Sequence, residues 1–253
     1  MKKFDELIKV MAKLRDPQNG CPWDKKQTPE SIRPHMIEEV YEVCEAITLK
    51  NDKYLKEELG DLLLHIVFQS QMAKEKSSFD IEDVVENVIN KLKRRHPHIF
   101  GDTNAETASD VEHNWEKIKR KEKSHRKSIL TGLPKDLPAL IKARRIQSKA
   151  ATVGFDWENT KDTFAKLKEE LQEFEQEFEK NDKEKMSEEM GDLLFAMVNV
   201  ARKLEIDPEF ALLHTIKKFI KRFQYIEDNL QEKLFSSELD ELEYFWEKAK
   251  DEI

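Results

Sequence analysis

A chain of 253 residues has room for one large domain or two small ones. With 38% charged and 38% hydrophobic residues but only 6 Gly and 8 Pro, it has the balance of well-solvated amphipathic helices and little of turn-rich β structure. A net charge of −8 argues against a general nucleic-acid binder, and the two cysteines, Cys21 and Cys44, supply neither a metal cluster nor a disulfide framework. The N-terminal stretch MKKFDELIKVMAKLRD lacks the continuous apolar core of a signal peptide, and no apolar run is long enough to span a bilayer. The expectation is a soluble, cytoplasmic, all-α protein with no membrane partner.

Phe4, Leu7, Ile8, Met11 and Leu14 recur at helical spacing and predict a short amphipathic helix over 3–14. Asp16 to Thr28 carries turn formers and reads as an ordered loop holding Trp23. Thr28-Pro29 has the form of an N-cap and first helical residue, opening a helix to about Lys50. After a break at Asn51-Asp52, a longer helix runs from about Lys53 to Lys76. Its middle, Leu62 to Phe68, is apolar nearly all round and is expected to be core. Ser77 to Asp80 lead into a helix bearing Val84, Val85, Val88, Ile89 and Leu92, which ends in 91–95 and is stopped by the His96-Pro97 stretch. Ser109 to Glu112 reads as a capping box that opens a helix through Trp115 and Lys119. Residues 120–137 turn polar and basic around Gly132 and Pro134. This predicts a linker at 124–137 between domains at 1–123 and 138–253.

The second half restates the first. Ile141-Lys142 echoes Ile8-Lys9, Trp157 echoes Trp23, and the run from Gly191 to Phe195 repeats that from Gly60 to Leu64. With the first Glu taken as zero, acids fall at 0, 3, 19 and 22 in both halves: Glu39, Glu42, Glu58 and Asp61, then Glu170, Glu173, Glu189 and Asp192. The helix with Glu170 and Glu173 is expected to end near Asn181-Asp182. Asp207-Pro208 caps the next, which bears Leu212, Ile216, Phe219, Phe223 and Ile226, and Ser237 starts the last helix, through Trp246 to Lys250. Downstream of each acid set comes a basic pair four apart, Lys91/Arg95 and Lys218/Arg222. Then comes a Trp-x-x-x-Lys, Trp115/Lys119 and Trp246/Lys250. Such ordered recurrence marks the duplication of a unit of roughly 115 residues.

Each i,i+3 pair of acids shares a helix face, so two helices packed antiparallel through a short turn point four carboxylates at one spot. Hard oxygen donors suit Mg²⁺ or Mn²⁺, and ions so held suit a substrate that carries phosphates. One E-x-x-E in so acidic a chain reads as a solvated helix face, and a salt-bridge network is the structural alternative. Two copies with one set of offsets narrow that alternative. Asp61 and Asp192 also adjoin the most apolar segments, where an unpaired carboxylate is costly. His65, four after Asp61, would suit a di-iron E-x-x-H site, but its counterpart is Ala196, which favours a core or polar-edge histidine. Lys91/Arg95 also read as a cationic helix end, whereas Lys218/Arg222 sit mid-helix and read as a grip on phosphate oxygens. There is no P-loop, no G-x-G-x-x-G and no nucleophilic Ser or Cys constellation.

E-E-x-x-E followed by E-x-x-D resembles the signature of the MazG nucleoside triphosphate pyrophosphohydrolases in their full-length, two-domain form. CPWDKKQT at 21–28, RRHPHIFGD at 94–102, VGFDW at 153–157 and EEMGDLLFAMVNVAR at 188–202 extend the likeness to essentially the whole chain. The resemblance implies Mg²⁺-dependent hydrolysis of NTPs and dNTPs to the monophosphate and pyrophosphate. It also implies two tandem helical domains whose four-helix-bundle cores are completed in a homodimer. Glu170, Glu173, Glu189 and Asp192 would hold metal, and Lys218, Arg222, Trp246 and Lys250 would contact nucleotide. Glu39, Glu42, Glu58 and Asp61, with Lys91, Arg95, Trp115 and Lys119, take the matching places in the first half. The expected mechanism is in-line attack of water on the α-phosphorus, with Glu169 as a candidate general base. The second half is expected to be catalytic and the first a degenerate or regulatory copy, in a protein that clears non-standard nucleotides or controls nucleotide pools. Three alternatives stand beside this: a pyrophosphatase restricted to one nucleotide such as dUTP or dCTP, a nucleotide-sensing or protein-binding module without turnover, and a di-iron carboxylate protein.

Overall fold

The computed structural model describes residues 2–101, 103–105, 107, 110, 111, 114, 115, 118, 119, 122 and 128–252. Among them there is no β-strand, and the contacts divide the chain into two units, Met1–Lys119 and Arg120–Ile253.

In the first unit α1 (Lys2–Leu14) turns its apolar stripe onto α4 (Asp52–Glu75). The loop that follows holds α2 (Pro22–Lys26), a single turn with Pro22 in its first positions. Gly20 is required there, because a Cβ would sit 2.4 Å from the Leu14 carbonyl oxygen. Helix α3 (Arg33–Thr48) pairs with α4 through a short turn, and the Asn51 side chain caps α4 by accepting from the Tyr54 N–H. Asp80 and Asp83 form a reciprocal capping box at the start of α5 (Ile81–Arg95), and α6 (Pro97–Phe100) is one further turn. Met11, Ile32, Val67, Phe68, Met72 and Ile81 make the core. Burial of one such side chain contributes roughly 1.5–3 kcal/mol.

In the second unit α7 (Ala139–Ala151) packs on α9 (Lys183–Lys203) and α10 (Pro208–Leu230). The α8 (Thr160–Lys180)–α9 hairpin is the counterpart of α3–α4. Asn181 ends α8 at φ 56, a left-handed conformation that Asn tolerates, and Asp182 then caps α9. Asp207 accepts from the Glu209 and Phe210 N–H groups to cap α10 and also receives Arg144 at 2.5 Å, which ties α7 to it. A 3₁₀ segment (Gln231–Ser236) leads to α11 (Leu239–Glu252).

Three expectations change. Thr28 and Ser31 bond reciprocally (2.9 and 3.1 Å) and do make a turn, but α3 begins at Arg33. Pro34 has no N–H to offer the Glu30 carbonyl, so the helical ladder cannot run back through it to Pro29. In the 62–68 segment Val67 and Phe68 are buried whereas Leu63 and Ile66 are exposed, so it is core on one face only. Helix α11 starts at Leu239, two residues after Ser237. The capping box at Ser109 and Glu112 lies outside the described residues, as do 123–127 at the start of the linker. Thr107 and Asp110 bond reciprocally at 3.0 and 3.2 Å just before the helical residues of that region.

Candidate functional site

Each helix hairpin gathers carboxylates by the same device. Acids one turn apart on one helix face the acids of the next across the pair. In the first unit, oxygens of Glu39 from α3 and of Glu58 and Asp61 from α4 all lie within 4.8 Å of one another. Glu58 is only 6% exposed. Burial first, then the charges of Glu42, Glu39 and Asp61, push its carboxyl up to about 7, the usual response of crowded acids that lack a counter-charge. Glu39 Oε2 is buried with no hydrogen-bond partner. His65 is buried beside it, Nε2 3.7 Å from Glu39 Oε1, with its ring stacked on His35 (centroids 6.4 Å).

In the second unit, oxygens of Glu170 and Glu173 from α8 and of Glu189 from α9 form the corresponding group within 4.8 Å. Glu170 is 8% exposed. Burial raises the Glu173 carboxyl. The nearby Lys166 pulls it the other way, and Glu170, Glu169 and Glu189 add to the rise. Lys166 lies 2.8 Å from Glu170 Oε1 and 2.7 Å from Glu169 Oε1, and those two carboxylates push its ammonium well above the ordinary lysine range. Asp192 completes the sequence quartet and lines the cavity beside the cluster, as Glu170 does. The donor set fits a hard divalent cation in both units. It is all carboxylate oxygen, closely grouped and partly buried, and in the first unit it carries an oxygen with no partner.

The basic and aromatic candidates assemble among themselves. Arg222 stands 5.9 Å over the Trp246 ring, Phe219 packs 5.0 Å from that ring, and the Arg222 Nε is buried without a hydrogen-bond partner. In the first unit Arg95 stands 5.2 Å over Trp115, with His96 at 5.0 Å, so both halves build the same Arg–Trp stack. Lys250 pairs with Glu247 at 2.5 Å and Lys218 is exposed; in the first unit Lys91 is half-buried and Lys119 is helical. Neither Lys218, Arg222, Trp246 nor Lys250 lines the cavity beside the second acid cluster. The cations that line it are Lys166 and Arg202, which the spacing argument did not single out. That cavity holds about 280 Å³ and also takes in Gln147, Asn199, Phe155 and Trp157. Arg202 forks onto Asp156 (Nη2 to Oδ1 2.5 Å, Nη1 to Oδ2 3.2 Å) and onto Asn199 Oδ1 (2.7 and 3.0 Å).

The pattern of the MazG nucleotide pyrophosphohydrolase domain matches residues 27–100 and 158–226, one segment around each acid cluster. Over 251 residues the chain is 46% identical to the nucleoside triphosphate pyrophosphohydrolase/pyrophosphatase MazG of Thermotoga maritima, covering 98% of this chain and 95% of that protein. It is 42% identical over 257 residues to the nucleoside triphosphate pyrophosphohydrolase of Escherichia coli K12, covering 99% and 98%. It is also 44% identical over 254 residues to the uncharacterized protein YabN of Bacillus subtilis, where 98% of this chain matches 52% of the longer relative. With both acid clusters inside the matched segments and near-full-length relatives on either side, the chain belongs to the MazG nucleotide pyrophosphohydrolase family.

Proposed function

We infer that this chain hydrolyses nucleoside triphosphates at the α–β anhydride, giving the monophosphate and pyrophosphate, and that its second unit is the catalytic one. The observation that carries this is the group of Glu170, Glu173 and Glu189 oxygens within 4.8 Å, set beside a cavity in a family of nucleotide pyrophosphohydrolases. Glu170, Glu173, Glu189 and Asp192 would hold Mg²⁺, with Mn²⁺ as the substitute. Such an ion polarises a phosphoryl oxygen and lowers the pKa of a bound water. Lys218, Arg222 and Lys250 would neutralise the leaving pyrophosphate, with the Trp246 ring fixing the Arg222 plane. Glu169, whose Oε1 lies 2.7 Å from Lys166 Nζ beside the acid cluster, is proposed as a candidate general base.

The first-unit cluster (Glu39, Glu42, Glu58, Asp61) is proposed as a metal site with a regulatory or structural role, with Lys91, Arg95, Trp115 and Lys119 as its matching nucleotide contacts. A second copy of the chain is proposed to complete the helical bundles. Exposed apolar side chains on α3 and α4 (Ile37, Val40, Leu59, Leu63), and on α8 and α9 (Leu171, Phe178, Leu194, Met197), support that reading. Among the described residues no helix is long and apolar enough to cross a membrane; with only Cys21 and Cys44 in the chain, a reducing cytoplasm is the proposed compartment. The test is a panel of NTPs and dNTPs with Mg²⁺, resolved for products. Monophosphate with pyrophosphate is expected. Diphosphate with inorganic phosphate, or no turnover of any member, would overturn the reading.

A further inference from the structure

The acid cluster of the first unit has a nitrogen at its edge. Glu58, Asp61 and His65 stand at 0, 3 and 7 along α4, so they share one stripe of the helix, and that stripe faces Glu39 of α3. His65 is 9% exposed, and its ring lies nearly parallel to that of His35, 8° between planes, which fixes the imidazole from one side. Its Nδ1 is buried with no hydrogen-bond partner, and so is Glu39 Oε2.

His65 Nε2 points at Glu39 Oε1 across 3.7 Å. A hydrogen bond from an imidazole to a carboxylate closes to about 2.7–3.2 Å, so this gap is too long for one. A lone pair aimed at a carboxylate is repelled unless positive charge stands between them. Two ligands of one cation have nearly this spacing. Bonds of about 2.1 Å at tetrahedral to octahedral angles set neighbouring donors about 3.0–3.4 Å apart. A few tenths of an ångström of side-chain movement bring both atoms onto one ion. The competing account is a proton on Nε2, which makes His65 and Glu39 a plain ion pair.

The duplication supplies a control within the same chain. The second acid set follows the first by 131 positions (Glu170 against Glu39), and within each hairpin the register is unbroken. At that offset His65 becomes Ala196, which lines the second-unit cavity and offers no donor. His35 becomes Lys166, whose ammonium already holds Glu170 at 2.8 Å. The second cluster is thus all oxygen with an ammonium of its own, and the first has imidazoles at both places. Imidazole nitrogen suits transition cations such as Zn²⁺, whereas Mg²⁺ keeps to oxygen donors and to its waters.

We propose that the first unit holds a mixed nitrogen–oxygen metal centre, built from Glu39, Glu58, Asp61 and the Nε2 of His65, which takes a transition cation such as Zn²⁺ or Mn²⁺ in preference to Mg²⁺. The assignment rests on the reading of the first-unit cluster as a metal site and names its class of metal. A cation there is bonded from α3 and α4 at once and ties the hairpin together. The second unit, with Ala196 in place of the imidazole, keeps an all-oxygen centre.

Pulsed EPR detects a nitrogen bound directly to Mn²⁺, so the full chain with one equivalent of Mn²⁺ in a large excess of Mg²⁺ tests the proposal. Wild type is expected to show the modulation of an imidazole nitrogen. Glu173→Gln is expected to keep it, as a change in the other unit should. His65→Gln, which stays polar but offers no imidazole, is expected to lose it, and to bind Zn²⁺ at least about tenfold more weakly by competition calorimetry against Mg²⁺. Glu58→Gln, which relieves the crowding of charge and so keeps the fold, is expected to weaken the signal as well, so that a misfolded His65→Gln chain leaves the question decided. Nitrogen modulation that persists in His65→Gln would overturn the proposal. Bound Mn²⁺ that shows no nitrogen modulation and is released by Glu58→Gln would overturn the histidine ligand alone and leave a carboxylate site. Mn²⁺ binding that neither Glu39→Gln nor Glu58→Gln alters would overturn the first-unit metal reading together with it.

Discussion

Lys166 Nζ lies 2.8 Å from Glu170 Oε1, so the acid cluster of the second unit comes with a cation of its own. The first unit has His35 at that register, four residues before its leading acid, and His35 turns to Glu38 at 3.1 Å instead. Removing the ammonium leaves Glu170, Glu173 and Glu189 to repel one another without relief. Lys166→Met is therefore expected to melt at a lower temperature than wild type in EDTA and to gain more from added Mg²⁺. Melting curves across a Mg²⁺ titration check this. An unchanged Mg²⁺ response would contradict the metal assignment of this cluster.

The Glu58 carboxyl gives the first unit a pH dependence of definite sign. Its folded-state value, about 7, lies above the ordinary 4.5, so the folded chain retains a proton that the unfolded chain has released. Stability from that proton is fully present below the unfolded value and is lost as pH rises through the folded one. In EDTA the melting temperature is expected to fall between about pH 5 and about pH 8, and Glu58→Gln is expected to flatten the profile. Mg²⁺ is expected to restore stability mostly at the alkaline end, since the cation needs the ionised acid. A profile that rises over this range would count against the cluster.

Arg202 is the clamp of the second-unit cavity. Burial would push Asp156 up, but the Arg202 and Lys203 charges outweigh it and hold the carboxyl below its usual range. Arg202→Met breaks charged hydrogen bonds to both Asp156 and Asn199, at an expected cost of about 2 kcal/mol by urea unfolding at neutral pH. Because the Asp156 value is depressed, its share of that stability is present above the unfolded value and is lost as pH falls through the folded one. The difference between variant and wild type should therefore narrow in acid.

Much of this arrangement was legible in the sequence, and its gaps have physical causes. The acid offsets survive because carboxylates aimed across a hairpin need one helical register, and a register is visible as spacing. Helix ends capped by Asn51, Asp80, Asn181 and Asp207 were legible for the same local reason. The start of α3 was not, because Thr28-Pro29 does form a turn and only the missing N–H of Pro34 separates that turn from the helix. Lys166, Gln147, Asn199 and Arg202 carry no spacing of their own, since each is a lone polar residue on a charged amphipathic helix. Comparison of the two copies at a fixed offset contains the signal, with Asn199 against Phe68 and Thr163 against Ile32. Leu63 and Ile66 read as core because apolar character marks burial, whether by the same unit or by another surface.

The most direct test of the account is pyrophosphate release with Mg²⁺ from the Glu173→Gln and Glu42→Gln chains, assayed side by side against wild type. Loss of one carboxylate from the catalytic cluster is expected to slow Glu173→Gln by about a hundredfold or more, while Glu42→Gln keeps most of its turnover. Near-wild-type release from Glu173→Gln, or equal losses in the two chains, would contradict the placement of catalysis in the second unit.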